Sequence, residues 1–268
     1  MRNSTVFAVA ALVGCLACDK PSTTNPEPSS TGGDATATDT GATTDSAARD
    51  TEKGGRLFDK TTPEVRLKNI FGWDLRGQEG IYGPSYQAKE GVSAVNLLTD
   101  TRSADELVAW LSAGDEEVPA LGDALSADEL ADLAAFIVAV RERELPHPEQ
   151  VWSLSEAAPK NYELLPGADV EAGAGLIAGK CSGCHGDDGT SILIDEHYTL
   201  GAYARTKAYE AWIKIVNGQP GTGMGRQSSD AGEVLNILAA LCDRSAFPGK
   251  DTEHDAPDGD PRCGDYLR

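Results

Sequence analysis

Positive charge is scarce in this sequence. Its 268 residues carry 23 Lys and Arg against 43 Asp and Glu, a formal net charge of -20. Such a surface repels nucleic-acid phosphates and anionic headgroups, which excludes both as electrostatic partners and favours basic protein faces. Methionine is scarcer still: beyond the initiator there is only Met224. The apolar run at the start, Val6 to Leu12, falls far short of the roughly 20 residues a bilayer-spanning helix needs. Strong period-2 alternation is missing from both halves of the folded portion, which argues against a sheet-based fold. From Asp19 to Lys53 large apolar residues are almost absent, so this stretch cannot bury enough surface to offset its ordering entropy. From Gly54 up to His147 there is neither cysteine nor histidine, so that half offers no thiol or imidazole to a cofactor.

What is present begins with a leader. Met1-Arg2-Asn3 is short and positively charged, and Val6 to Leu12 is the apolar core of a secretory signal. Leu12-Val13-Gly14-Cys15 then resembles a bacterial lipobox. The resemblance implies cleavage before Cys15 and lipidation of its thiol; Cys18 is a poorer match. The expectation is a signal over residues 1–14 and a lipid-anchored, disordered linker over 15–53. A flexible coil of roughly 35 residues has an r.m.s. span of about 30–35 Å. The protein is then expected to be exported and held on the periplasmic side of a bacterial membrane.

Two folded segments follow, 54–145 and 167–243, with a linker over 146–166 and an acidic tail over 244–268. Leu145-Pro146-His147-Pro148 reads as an extended break. In the first segment, Ser103 with Glu106 and Ser126 with Glu129 are capping boxes opening helices to about Ala113 and Arg143. In the second, helices are expected from Asp169 into Cys181, from Thr206 to Val216 and from Asp230 to Cys242. Val234, Ile237, Leu238 and Leu241 lie on one face of the last. Glu106–Leu111 parallels Ala208–Ile213, and each is followed by a Gly-containing loop and an amphipathic helix. The fold class is therefore all-α, with a twofold internal repeat.

The chemistry concentrates at Cys181-Ser182-Gly183-Cys184-His185. C-x-x-C-H is the pattern of c-type haem attachment. Two thiols three positions apart at a helix end reach the two vinyl groups of one porphyrin, and the next histidine lies beneath the iron. A bare Cys-x-x-Cys is also compatible with a thioredoxin-like redox pair or half a zinc site. The first expects a strand-helix context and the second more ligands nearby. Met224, in Gly218-Gln219-Pro220-Gly221-Thr222-Gly223-Met224-Gly225, is the candidate second axial ligand, since a Gly/Pro-rich loop can present its thioether. Core filling is the alternative for a lone methionine. His197 lies in a polar loop, and His147 and His254 are assigned no role. Cys242 and Cys263 form a candidate disulfide in an oxidising compartment; closing roughly 20 residues is worth about 3 kcal/mol.

From about Gly167 to Cys242, these residues resemble a class I c-type cytochrome domain. The resemblance implies a cytochrome c-like helical fold, thioether bonds at Cys181 and Cys184, His185 and Met224 as the axial pair, and Trp212 as an aromatic beside the haem. The family's proline shortly after the motif is absent, so another carbonyl is needed to orient His185. From about Gly54 to Val140 the first half resembles the same family more distantly. Gly55-Arg56-Leu57-Phe58-Asp59 stands where the first helix begins, and Val118-Pro119 where a Met-Pro pair is expected. This half reads as a degenerate, haemless cytochrome-c-like domain whose core is filled by Phe58, Phe71, Trp73, Trp110, Phe136 and Ile137. The function implied is an exported monohaem single-electron carrier, not an enzyme, serving redox partners with a basic docking face. The rivals are a haem-bearing subunit of a larger membrane-associated oxidoreductase complex, and a haem sensor or peroxidase with a displaceable Met224.

Overall fold

The computed structural model describes residues 49–81, 91–156, 158 and 161–268, and these form one compact unit. The expected signal, the lipidation site Cys15 and nearly all of the expected linker 15–53 lie outside the described residues. The linker's last residues are helical: α1 spans Thr51–Asp59, and the Asp50 side chain accepts from the Lys53 amide. Folded structure thus begins before Gly54, because a capping aspartate starts the helix there.

Helix α1 crosses α4 (Ala127–Arg141), which opens with the expected capping box of Ser126 and Glu129. The crossing sits at Gly54. A Cβ there would collide with the Asp132 carbonyl and stand 2.9 Å from Phe136 Cβ. The amide of Asp50 donates to Asp132 Oδ1 at 3.0 Å. The second half repeats each of these features. Helix α5 (Val170–Lys180) is capped by Asp169, and α8 (Ala231–Ala240) by Asp230. They cross at Gly173, where a Cβ would collide with the Asn236 carbonyl and stand 3.0 Å from Ala240 Cβ. The Asp169 amide donates to Asn236 Oδ1 at 2.8 Å.

Between each crossing pair runs a middle helix. Helix α3 (Ala104–Ala113) opens with the Ser103/Glu106 capping box and ends at Gly114, φ 68°. Helix α7 (Leu200–Asn217) ends at Gly218, φ 75°. Positive φ at a helix C-terminus favours glycine. After each glycine the chain folds back alike: Asp115 N–H donates to the Val118 carbonyl, and Gln219 N–H to the Met224 carbonyl. This corrects the expected alignment of Glu106–Leu111 with Ala208–Ile213 by two residues. Gly114 matches Gly218, so Trp110 matches Lys214 rather than Trp212.

Helix α7 also starts six residues earlier than expected and is broken at Lys207, φ -142° and ψ 47°. A break frees backbone groups that must find partners when buried. The Ala208 amide donates to the Tyr162 hydroxyl, and the Thr206 carbonyl accepts from Arg262. Those partners come from the two segments expected to be a linker and a tail.

The segment 146–166 is not an extended connector. It carries a 3-10 turn at Pro148–Gln150 and an antiparallel hairpin, β1 (Trp152–Leu154) with β2 (Tyr162–Leu164), pairing Ser153 with Glu163. The molecule is helix-rich, and this hairpin is its small departure from an all-α pattern. Trp152 and Tyr162 are fully buried, each worth about 2–3 kcal/mol. They hold the segment against the second half, with Trp152 5.6 Å from Trp212 and Tyr162 5.5 Å from Tyr209. Trp73 of the first half reaches Tyr209 at 6.4 Å, so the two halves share one core.

The acidic tail 244–268 is likewise folded down. Arg205, fully buried, forms a two-pronged pair with Asp255 and donates to the Leu241 and Phe247 carbonyls. Cys242 and Cys263 are disulfide-bonded. Of the expected first-half core, Phe58, Phe71, Trp73, Phe136 and Ile137 are buried. Trp110 is only partly so: its indole N–H donates to Asp115 at the surface and Arg102 covers its ring. No helix among the described residues is long and apolar enough to cross a membrane.

Candidate functional site

Helix α5 ends at Lys180, and the chain continues at once into the single turn α6 (Ser182–His185). The Cys184 and His185 amides both donate to the Cys181 carbonyl, at 3.2 and 3.0 Å. Cys181, Cys184 and His185 thus share one helical turn. Gly186, φ 80°, ends it, and the His185 carbonyl accepts from Ser191. Both thiols are free; Cys184 is exposed and Cys181 half-buried. Burial pushes the Cys181 thiol up, with Lys180 opposing, and pushes His185 down toward the neutral imidazole a metal requires.

Three observations bear on whether a haem fits here. His185 Nδ1 is buried with no hydrogen-bond partner, a cost of about 1–3 kcal/mol that a partner atom would remove. The carbonyl expected to orient this ring is therefore not found among the described residues. The glycines at 175, 179 and 183, four apart, have open space where a Cβ would stand, so one face of α5 and α6 is bare. Finally, no group of three or more His, Cys, Asp or Glu among the described residues converges to hold a metal ion. A helix, not a strand, leads into the motif, which removes the context of a thioredoxin-like pair. The donor set fits a covalently bound haem.

Met224 lies on the loop after α7, half-buried, with Gly221 and Gly223 beside it in open space. The loop is placed by both halves of the molecule. Arg56 of α1 donates from Nε to the Asn217 carbonyl at 2.9 Å and from Nη2 to the Met224 carbonyl at 3.1 Å. Glu52 holds the same guanidinium at 2.5 Å. In return, Arg226 donates to Val216 O and to Thr51 Oγ1 of α1. Below the loop, Lys180 pairs with Glu233 at 2.7 Å and Ser228 donates to the same carboxylate, which lowers its pKa. These residues line a cleft of about 400 Å³ with Arg226 and Asp230, so the end of α5 and the chain following Met224 border one space.

The remaining residues singled out in the sequence are placed as follows. Trp212 is fully buried against Trp152, and its indole nitrogen has no partner. His197 stacks on His254 with ring centroids 4.5 Å apart. His147 caps the turn at Pro148–Gln150 and is buried. The residues not anticipated are Arg56 and Arg226. Nothing local in the sequence pairs a first-half arginine with a carbonyl 168 residues away. Comparison with protein-family models, curated proteins and solved structures finds no match for this chain.

Proposed function

We propose that this protein is a monohaem c-type cytochrome that carries single electrons. The observation that carries the reading is the turn bearing Cys181, Cys184 and His185, with two free thiols, one exposed and one half-buried, and a half-buried imidazole whose Nδ1 has no partner. Cys181 and Cys184 would hold the porphyrin covalently, and His185 and Met224 would be the axial pair. The cytochrome c-like fold belongs to the same proposal, supported by the crossing of α5 and α8 at Gly173 and by the glycine-rich loop carrying Met224.

A haem held this way supplies one-electron chemistry, and a soft thioether ligand raises its potential. The chain's own residues do the rest. The two cysteines would hold the porphyrin through thioether bonds. The neutral His185 would offer a ring nitrogen without first losing a proton. Met224 would supply the second ligand and keep small ligands from the iron. With 43 acidic residues against 23 basic ones, the surface favours a partner with a basic face, and the transfer rate is expected to fall as salt rises. Export and lipid anchoring through Cys15 are part of the reading; the Cys242–Cys263 disulfide is consistent with an oxidising compartment.

The test is an absorption spectrum of the exported protein, oxidised, reduced, and reduced under carbon monoxide, beside Met224→Ala. A low-spin native spectrum indifferent to carbon monoxide, with a variant that turns high-spin and binds it, is the expected result. A native protein that already binds carbon monoxide moves the sensor or peroxidase reading ahead. Stable co-purification with partner subunits would favour the complex-subunit reading. Absence of covalent haem overturns the proposal.

A further inference from the structure

We infer that the first half of the molecule is a clamp for the Met224 loop, with Arg56 as its positioning residue. This rests on the proposal that Met224 is an axial ligand. The first half has no cysteine or histidine of its own between Gly54 and His147, so its contribution to the site must be made through contacts. Those contacts converge on one loop. Asn217, Gly218 and Met224–Arg226 all touch α1. Arg56 binds the two carbonyls that bracket the loop, at Asn217 and Met224. Arg226 reaches back to Thr51. The Asn217 side chain lies against Gly55, where any Cβ would displace it, and the Gly218 position leaves no room for a side chain beside Arg56. Glu52 fixes the guanidinium from one turn earlier in the helix.

The chemistry of the loop makes such a clamp necessary. Four glycines and a proline within Gly218–Gly225 give the backbone many accessible conformations, and Gly221 and Gly223 stand in open space where a Cβ would be. The loop's own hydrogen bonds gather on Gln219 and Thr222: Gln219 N–H to Met224 O, Thr222 N–H and Oγ1 to Gln219 O, and Met224 N–H to Thr222 Oγ1. Charge-assisted bonds from a guanidinium are about twice as strong as neutral ones, and the planar fork sets two acceptors at once. Arg56 holds the carbonyl of the very residue whose thioether must stay in place. It therefore sets how often the loop opens. The first half acts on the site without taking part in its chemistry.

The experiment uses the full-length haem-loaded protein and four variants: Arg56→Gln, Arg56→Lys, Met224→Ala, and Arg56→Gln with Met224→Ala. Carbon monoxide binding to the reduced protein is followed by stopped flow. Amide hydrogen exchange over 219–226 is measured in parallel. Arg56→Gln is expected to raise the carbon monoxide binding rate at least tenfold and to speed exchange at Gln219. Arg56→Lys, which keeps charge and one donor, is expected to fall between. In the Met224→Ala background, Arg56→Gln is expected to add nothing, because the residue acts through the loop. An unchanged carbon monoxide rate in Arg56→Gln, or an equal increase in both backgrounds, overturns the inference. A melting point lowered without either change assigns Arg56 a merely structural part and also overturns it. Failure of the axial-ligand reading itself looks different: Met224→Ala alone would not open the iron. The exchange measurement then still decides whether Arg56 restrains the loop.

Discussion

The two halves of this molecule solve the same packing problem and part company at one residue. In each, an aspartate-capped helix crosses a second helix at a glycine four residues after the cap, and in each the cap's own amide donates to the side chain of the residue whose carbonyl the glycine abuts. In each, a middle helix ends at a glycine with positive φ, and the chain returns to place one residue's carbonyl over that turn. That residue is Val118 in the first half and Met224 in the second. Val118 is buried in its own core, whereas Met224 stands half-exposed on a loop of glycines. The first half has closed over an apolar interior of Phe58, Phe71 and Phe136. The second leaves a bare glycine face along α5 and α6. On the function proposed above, the same frame serves packing in one case and a haem ligand in the other. The glycine and the capping aspartate of the crossing are shared, while the residues at the site differ.

The crossing glycines give the sharpest way to break this comparison. Gly54→Val and Gly173→Val each drive a side chain into a backbone carbonyl of the partner helix, which cannot move aside. Each is expected to cost more than about 3 kcal/mol by urea unfolding. Gly175→Ala, measured in the haem-free chain, meets nothing and is expected to gain about 0.5–1 kcal/mol. A tolerated valine at either crossing, with the other damaging, would end the claim that the two crossings are equivalent.

Much of this frame is legible from local signals. The capping boxes at Ser103 and Ser126 and the caps at Asp169 and Asp230 fix helix starts because their partners lie three residues away. The C-x-x-C-H turn is legible for the same reason. What escapes is set by distant partners. Pro146 and Pro148 read as an extended break, but the burial of Trp152 and Tyr162 depends on Trp212 and Tyr209. The tail reads as solvated acid, but Asp255 pairs with Arg205 of α7, whose burial no local pattern announces. Trp110 and Trp212 look alike and suggest an alignment two residues out; the pair that sets it is Gly114 and Gly218, whose meaning depends on backbone conformation.

The halves also differ in the ionisable groups they bury, and this gives a second, smaller test. Asp74 is fully buried, and burial lifts its carboxyl to about 6 against the pull of Arg76. On the connecting segment, buried His147 is pushed down to about 4 by burial and by the charge of Arg143. Ionised Asp74 burdens the folded state, so its contribution falls as pH rises from about 4 to about 6. Protonated His147 also burdens it, so its contribution falls as pH drops from about 6.5 to about 4. Each shift corresponds to roughly 3 kcal/mol, and the two slopes oppose each other over nearly the same window. Asp74→Asn is expected to make stability climb with pH across that window relative to the parent, by about 2–3 kcal/mol. His147→Gln is expected to do the reverse. Urea unfolding at both ends of the window measures it.

The finest test lies within the crossing itself. The first half uses Asp132 to receive the Asp50 amide and places Lys53 3.4 Å from the same carboxylate. The second half uses Asn236, and the residue matching Lys53 is Ala172. Charge and counter-charge are present together in one crossing and missing together from the other. If the crossings are interchangeable, the pair should transplant. Asn236→Asp alone keeps the acceptor oxygen but adds a carboxylate near Asp169 without a cation, and is expected to cost less than about 1 kcal/mol. Adding Ala172→Lys should recover part of that loss. A double-mutant cycle should then give a favourable coupling of about 0.5 kcal/mol, weaker in high salt because the lysine is half-exposed, as Lys53 is. No coupling would mean that the helices cross at the same glycine but at different heights around it, and the resemblance of the two halves would then stop at the backbone.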